Sequence, residues 1–588
     1  MLAYFGFRLY TLIYAQAYVY HGGKLGLAWV FLLLEIATLL TNGLPYGLRA
    51  LAWHRPNRPH LRLEGDDVPT VDVLITSCGE DIDVILDTVL AACSTDCPVD
   101  RFRIFLCDDG RSEEVCNRIS APREKYPNVY YVSRPKPEIP DYKAGNLNNG
   151  LHHSRALPRI QAPSPQPPAR VYSAKLARND TPSSSESTSV SGDEIKEKEL
   201  DHEWNSSAEV PGHEPSEFVA GLDADMTFYD TPTNDPLTQN MLQFAGLTES
   251  VNDSLGHADC LGSGYVMRRV TVEAIGGFPI ESLSEDVCCS AKLLGAGWKT
   301  VFVQEFLQYG SVPASYYAHV KQRTRWSIGH IQTALLFRFR TSSKFAKHLD
   351  LRQKLTGITF DLRQFMQIPT AFNYAFIPLS LYAGYPLVIW NTEFQLSIMG
   401  WVAAIGNGEY DVRISSYDSE LEQWLGPYIL NSFVRPFILP KRFGGQAAGF
   451  KSTGSIADNL AERDRNNRAS VWRRMYDILW HQRGLFHVIF KFVCLGGVAL
   501  TCVRPVHPDI PSAYTLSQRT YGNQMIYLIT RIGWPPAVWL QFLHASLVPP
   551  LYALFPPRVP PRDEVLIADP KTSIKYPRPE VMRLKRSA

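Results

Sequence analysis

The chain has 588 residues, with 59 Lys and Arg against 58 Asp and Glu, for a net charge of +1. So even a balance excludes a dedicated nucleic-acid binder, which carries a marked basic excess, and a 45% hydrophobic content excludes a chain disordered throughout. Ten cysteines in this length make no disulfide scaffold; eight lie between Cys78 and Cys289 without the paired spacing of a zinc site, and the thiols read as reduced and cytosolic.

The mean hydropathy of −0.14 hides a segregated chain. Residues 2–20 are apolar and aromatic around a single Arg8, and residues 25–47 carry one charge, Glu35, and are long enough to span a bilayer. The start has neither the basic region nor the small-residue cleavage site of a removable signal peptide. Residues 1–48 therefore read as N-terminal transmembrane helices.

A polar block follows, expected to form one cytosolic domain over 49–345. Its apolar runs at 71–76, 103–109, 129–134 and 217–225 predict strands, with helical patterns such as 82–93 between them. Such alternation predicts a mostly parallel sheet with helices on both faces. Ligands in such sheets bind at the carboxyl ends of the strands, where Glu80, Asp108, Asp109, Asp223 and Asp225 fall. Residues 155–216 break the pattern with Pro- and Ser-rich and then charged sequence, which reads as a disordered insertion.

An amphipathic interface helix is expected over 346–368 and a transmembrane region over 369–556. Residues 369–390 have no charge; further candidate spans are 423–440, 485–503 and part of 524–555. The intervening segment 441–483 holds nine Lys or Arg against four acids, whereas 391–420 holds one Arg and five acids. Basic loops stay on the cytosolic side, so 49–368 and 441–483 should be cytosolic and 391–420 should face out, consistent with about six spans in all. Residues 557–588 read as a short Pro-rich tail.

Four acidic or cationic clusters occur in order: LCDDG with Asp108 and Asp109, GLDADM with Asp223 and Asp225, SLSEDV with Glu285 and Asp286, and QRTRW with Gln322, Arg325 and Trp326. Lys143 lies between the first two, in DYKAGNLNNG. Each has a bland reading alone: Asp-Asp-Gly is a turn, Ser-Glu-Asp a helix cap. Their order and their place at strand ends beside apolar spans are far more specific.

With these motifs the chain resembles the processive family 2 glycosyltransferases, the cellulose and hyaluronan synthases and their relatives, whose pattern is D, DxD, (T/S)ED, QxxRW. The Ser-rich insertion and compact C-terminal half look most like the filamentous-fungal type 2 members, associated with an outer cell-wall or surface polysaccharide. The resemblance implies a Rossmann-like GT-A catalytic domain, α/β with a mostly parallel sheet, inserted between transmembrane α-helices. It implies a UDP-sugar donor, a polysaccharide acceptor, a lipid bilayer around the spans, and a divalent Mg²⁺ or Mn²⁺ that offsets charge on the departing diphosphate.

By the same resemblance Asp225 ligates the metal with Asp223, which also holds the donor. Asp108 and Asp109 meet the uridine, Lys143 supports the diphosphate, and Glu80 belongs to the donor side. Asp286 is the general base for the acceptor hydroxyl, and a single direct displacement inverts the anomeric centre. Trp326 offers an aromatic face to the acceptor, with Gln322 and Arg325 hydrogen-bonding diphosphate or acceptor. A gating loop of the cellulose-synthase kind has its counterpart around Phe450 and Thr453, with Ser452 and Ser455 departing from the FxVTxK pattern. The competing readings are a non-processive enzyme making a glycolipid and a non-catalytic membrane scaffold.

Overall fold

The structure is a computed structural model. It describes residues 2–14, 26–37, 62–137, 141–157, 215–222, 235–239, 248–383, 410–443, 460–503, 542–570 and 574–579, a few single positions aside. Most of the insertion, Asp223, Asp225, Phe450 and Thr453 lie outside the described residues, as do 384–409 and 504–541.

In chain order the elements are α1 (Leu2–Tyr14), α2 (Gly26–Ala37), β1 (Val71–Ser77), α3 (Ile82–Cys93), β2 (Phe102–Asp108), α4 (Glu113–Arg118), α5 (Ser120–Lys125), β3 (Val129–Ser133), α6 (Tyr142–Ala156) and β4 (Phe218–Leu222). There follow α7 (Glu249–Ser254), β5 (Tyr265–Arg268), α8 (Arg269–Ala274), α9 (Glu285–Gly295), α10 (Tyr316–Leu336), α11 (Leu351–Ala371) and α12 (Asn373–Ala383). The last group is α13 (Tyr410–Phe437), α14 (Val471–Tyr476, continued by a π turn to His481), α15 (Leu485–Val503), α16 (Val548–Leu554), α17 (Arg562–Val565), β6 (Leu566–Ala568) and β7 (Lys575–Pro577).

The five-stranded sheet runs β3-β2-β1-β4-β5. Four strands are parallel and β5 returns antiparallel to β4. Every residue of β2 is buried, as a strand covered on both faces requires; such strands read as continuous Val, Ile, Leu and Phe runs. One face packs Leu74, Phe105, Cys107 and Val219 against Leu147 and Leu151 of α6 and Cys289 of α9. The other packs Ile75, Ile104 and Leu106 against Ile85 and Val89 of α3. Gly150 lets α6 lie on β2: a Cβ there would meet the Cys107 sulfur at 2.5 Å.

The register pairs Val71 with Phe102 and Ser77 with Asp108, so the strand ends carrying chemistry finish level. At the opposite end Asp72 sits fully buried between Arg103 and Arg269. Ser216 Oγ donates to Asp72 Oδ1 at 2.6 Å, and Arg103 also holds the Ser154 carbonyl at 2.6 Å. The chain on either side of the insertion is thus tied down at the amino end of β1, away from the catalytic edge.

The helical half is organised on α10. Tyr316 and Val320 pack with Trp424, Leu425 and Ile429 of α13, Ile478 and Tyr552. Helix α11 covers most of the 346–368 stretch and is entered through a capping box of Asp350 and Gln353. The tail beyond 556, which reads from its composition as a Pro-rich extension, includes α17 and the β6–β7 hairpin. Arg562 and Lys575 both reach Asp87 of α3, at 2.7 and 3.2 Å.

Among the described residues no single helix is long and apolar enough to cross a membrane; one bent pair, Val471–His481 with Leu485–Leu500, passes on length and composition. The span expected at 25–47 is described only as α2, that at 369–390 only up to α12, and that at 524–555 only from Phe542. The two charges isolated in the N-terminal apolar sequence find each other: Arg8 Nη2 and Nε donate to Glu35 Oε2 at 2.6 and 3.1 Å, with both side chains almost fully buried. Removing one partner of a buried pair leaves an uncompensated charge, at a cost of about 3–5 kcal/mol. Glu35→Ala should therefore lower the melting temperature of the detergent-solubilised chain strongly, and Arg8→Leu/Glu35→Leu should recover most of the loss. Equal melting of single and double variants would contradict the pairing.

Candidate active site

Helix α9 starts at Glu285, and its position is set by α10. Ser282 Oγ donates to the Gly329 carbonyl at 2.8 Å, the Leu283 amide donates to Gln332 Oε1 at 2.9 Å, and Thr333 Oγ1 donates to Ser282 Oγ at 3.1 Å. Gly329 is required by this contact, since a Cβ would fall 2.3 Å from Ser284 Oγ. The Ser-Glu-Asp motif is therefore fastened to α10 just beyond the QxxRW motif, and Ser284 Oγ reaches the Trp326 carbonyl at 3.5 Å.

Asp286 is partly exposed at the first turn of α9. Burial, then the neighbouring Glu285 charge, push its carboxyl up to about 7; Lys143, the Val287 amide and Arg325 oppose the rise. Lys143 donates to the Gly262 carbonyl at 2.9 Å and lies 3.4 Å from Glu285 Oε1. Gly262 has φ +86°, and a Cβ built there meets Asp286 Oδ2 at 2.8 Å and Lys143 Nζ at 3.7 Å. One small volume thus holds Lys143, Glu285, Asp286 and the Gly262 backbone, with Arg325 close enough to act on Asp286. The Gly262→Ala variant combines a strained backbone with a displaced carboxylate, and a displacement near 1 Å costs about 10²-fold in rate. The check is initial transfer rate at matched protein level; an unchanged rate would show spare room beside Asp286.

Gln322 is buried, while Arg325 and Trp326 stay partly exposed on α10. The Arg323 guanidinium stacks over the Trp326 ring at 4.7 Å, which holds that ring in place.

The Asp108–Asp109 cluster sits at the end of β2. Asp108 is buried and spends both oxygens inside the protein. Oδ1 accepts from Ser77 Oγ at 3.1 Å and the Gly110 amide at 2.9 Å; Oδ2 accepts from the Ser112 amide at 2.9 Å and the Tyr131 hydroxyl at 2.8 Å. It shapes the loop. Asp109 instead takes a bidentate pair from Arg134, at 2.7 and 3.0 Å, and Arg134 reaches on to Asp141 at 2.6 and 2.8 Å. Arg134 also donates to the Tyr142 carbonyl at 3.1 Å, where Tyr142 has φ 49°, a left-handed conformation that costs about 1–2 kcal/mol. Arg134 so fixes the residue that precedes Lys143. Glu80 turns its Oε2 back to accept from the Cys78 amide in the β1 loop.

Sequence reasoning passed over Arg134; the glycine-rich segment 260–264 and the KAGNLN asparagines beside Lys143 belong to the resemblance but carried no role. Asn146 Nδ2 donates to the Cys107 carbonyl at 2.8 Å, and Asn148 exchanges two bonds with the Phe278 backbone at 2.7 and 2.8 Å. These pin α6 between β2 and the segment before α9, and so carry Lys143 to Gly262. No local signal marks such residues; they bond across distances of 39 and 130 positions.

Asp223 and Asp225 lie outside the described residues. Strand β4 ends at Leu222, one residue before them, and the Gly264 amide donates to the Gly221 carbonyl at 3.0 Å. Among the described residues no group of three or more His, Cys, Asp or Glu could hold a metal ion.

Comparison with known proteins bears on the class of protein. The family described as "Glycosyl transferase family group 2" matches residues 226–406. The Cellulose synthase 1 catalytic subunit [UDP-forming] of Komagataeibacter xylinus is 26% identical over 363 residues, covering 61% of this chain and 44% of that protein. Cellulose synthase 1 of the same organism is 24% identical over 447 residues, covering 74% of this chain and 26% of that protein. The chain spans less than half the length of either. The Pyrobaculum calidifontis mannosyltransferase PcManGT, solved in complex with GDP-Man and Mn2+, has 14% identity and a TM-score of 0.41, with coverage of 69% of this chain and 99% of that one. The mostly parallel sheet and the matched domain define a GT-A-like glycosyltransferase fold. Residues 226–406 thus carry a family 2 glycosyltransferase match, and the chain is similar to the bacterial cellulose synthases.

Proposed function

We propose that the chain is a membrane-embedded, inverting glycosyltransferase that moves a sugar from a UDP-sugar to a growing β-linked polysaccharide, a cell-wall or cell-surface glycan, and passes the product outward. The observation that carries this reading is Asp286: a carboxylate pushed up to about 7, beside Lys143 and facing the helix of Gln322, Arg325 and Trp326. A base poised near neutrality accepts the proton of a sugar hydroxyl as it attacks the anomeric carbon, and the nucleoside diphosphate leaves from the opposite face. Lys143 steadies the diphosphate as a point charge. Glu80, Asp108 and Asp109 form the nucleotide side, with Asp109 held by Arg134 and Asp108 shaping the loop. Trp326 carries the acceptor ring, with Gln322 and Arg325 bonding its hydroxyls or the diphosphate.

Asp225, with Asp223, is the set proposed for the divalent cation: two hard carboxylate oxygens suit Mg²⁺ or Mn²⁺. When bound, the cation offsets the charge on the leaving diphosphate.

Outward passage rests on the resemblance of the ordered motifs to the processive enzymes. Membrane embedding is supported by the apolar bent pair and by the neutralised Arg8–Glu35 charges. The gate proposed at Phe450 and Thr453 rests on the sequence.

The test is transfer by purified membranes from labelled UDP-glucose, UDP-N-acetylglucosamine, UDP-galactose and UDP-glucuronate with Mn²⁺ or Mg²⁺. Label in a long, ethanol-insoluble product from one donor supports the proposal and identifies the sugar. Label confined to an organic-extractable lipid establishes the glycolipid reading instead, and folded protein that transfers nothing from any donor counts against both.

A further inference from the structure

Helix α14 and its π turn present Trp472, Tyr476 and Trp480 at 83%, 60% and 63% exposure. Their i, i+4, i+8 spacing puts them on one stripe. The opposite side is fully engaged: Ile478 is buried, and Arg474 donates to the carbonyls of Ala553 and Leu554 at 3.1 and 3.3 Å. The helix is packed and capped, and the aromatic stripe is the face that packing leaves over.

What adjoins the stripe names its partner. The axis Val471–His481 meets α15 at 82°. The turn is made at Arg483, which has φ 64° and donates to Asn431 Oδ1 of α13 at 2.9 Å. Beyond the turn α15 exposes Phe486, Ile489, Phe492 and Leu495, an apolar row without a charge. The exposed charges of α14 and its turn are cationic, Arg473 and Arg483, while the one acid of this stretch, Asp477, is half-buried. An apolar helix that turns through about a right angle onto a helix with exposed Trp and Tyr, flanked by two exposed Arg, has the chemistry of a chain leaving a bilayer and lying along its charged surface.

We propose that the Trp472–Tyr476–Trp480 stripe docks on an anionic phospholipid surface and that this anchor holds the acceptor helix in register. The proposal rests on the membrane-embedded reading above. The mechanical link lies just upstream of α14: Glu462 Oε2 accepts from the Tyr316 amide at 2.7 Å, at the first turn of the helix bearing Gln322, Arg325 and Trp326. Arg463, next to it, donates to Gln239. Aromatic rings at the headgroup level fix the depth of α14, and juxtamembrane arginines draw it to acidic lipid.

The experiment uses the full chain in nanodiscs of phosphatidylcholine with or without phosphatidylserine, the acyl chains brominated at shallow or deep positions. The signal is the emission lost in Trp472→Phe/Trp480→Phe relative to the parent. Phe492→Trp on α15 tests the membrane reading separately. The proposal expects the difference emission to be quenched by shallow bromines more than by deep ones. It also expects the double variant to transfer sugar about threefold more slowly with phosphatidylserine present and equally without it. An unquenched difference emission, with Phe492→Trp quenched by deep bromines, overturns the lipid anchor and assigns the stripe to a protein partner. If Phe492→Trp is itself unquenched, the membrane reading falls and the anchor falls with it.

Discussion

Asp286→Asn should slow sugar transfer by about 10²–10⁴-fold, the range for loss of a positioned general base, while leaving the chain folded. In the parent enzyme kcat/KM should fall as pH drops through about 7, because the base must be ionised to accept a proton and its carboxyl is pushed up to about 7. The same shift has a stability consequence of fixed sign. A carboxyl raised in the folded state binds more protons folded than unfolded between about pH 4 and pH 7, so folding stability declines as pH rises through that window. Asp286→Asn removes the ionised group and its burial penalty. It should melt higher than the parent at pH 8, by about 2 kcal/mol after discounting for partial exposure, and the two should converge near pH 4. Transfer assays and thermal melts across pH read both effects. A variant equally active, or less stable at alkaline pH, would remove Asp286 from the role of base.

Asp72→Ala should prevent stable folding. Asp72 is completely buried with Arg103 and Arg269, themselves 2% and 3% exposed. Without it two guanidiniums face each other away from water, and breaking such a pair costs about 3–5 kcal/mol, a large part of the 5–15 kcal/mol that holds a typical domain together. The defect should be one of folding and not of chemistry, because Asp72 lies at the amino end of β1, about 17 Å along the strand from Ser77. Size-exclusion profiles and melting curves should show mostly aggregated protein, with the KM of any surviving folded fraction unchanged. A melting temperature equal to the parent's would mean that water reaches the pair.

How much of this was legible in the sequence depends on the range of the forces involved. The apolar runs at 71–76 and 103–109 are local, and the strands form where those runs lie, because a strand buried on both faces needs continuous apolar residues. The helix expected at 82–93 is α3, marked locally by Asp81, whose side chain caps the Asp83 amide. The acidic motifs were legible by type and order. Their company was not. That Glu285 sits against Lys143, that Gly262 backs Asp286, and that Arg134 bridges Asp109 to Asp141 all depend on side chains meeting across the sheet edge.

The sequence by itself determined the parallel α/β block and the segregation of apolar from polar stretches, because these follow from hydrophobic pattern and composition; the residues suited to nucleotide-sugar chemistry were marked by the resemblance of their ordered motifs. Only the tertiary structure decided what each charge does. Asp108 and Asp109 are neighbours in sequence, yet one is consumed by the loop and the other is handed to Arg134. Arg8 and Glu35, each alone in apolar sequence, neutralise one another. Electrostatic free energy depends on the distance and burial of specific partners, and those are set by how helices and strands pack.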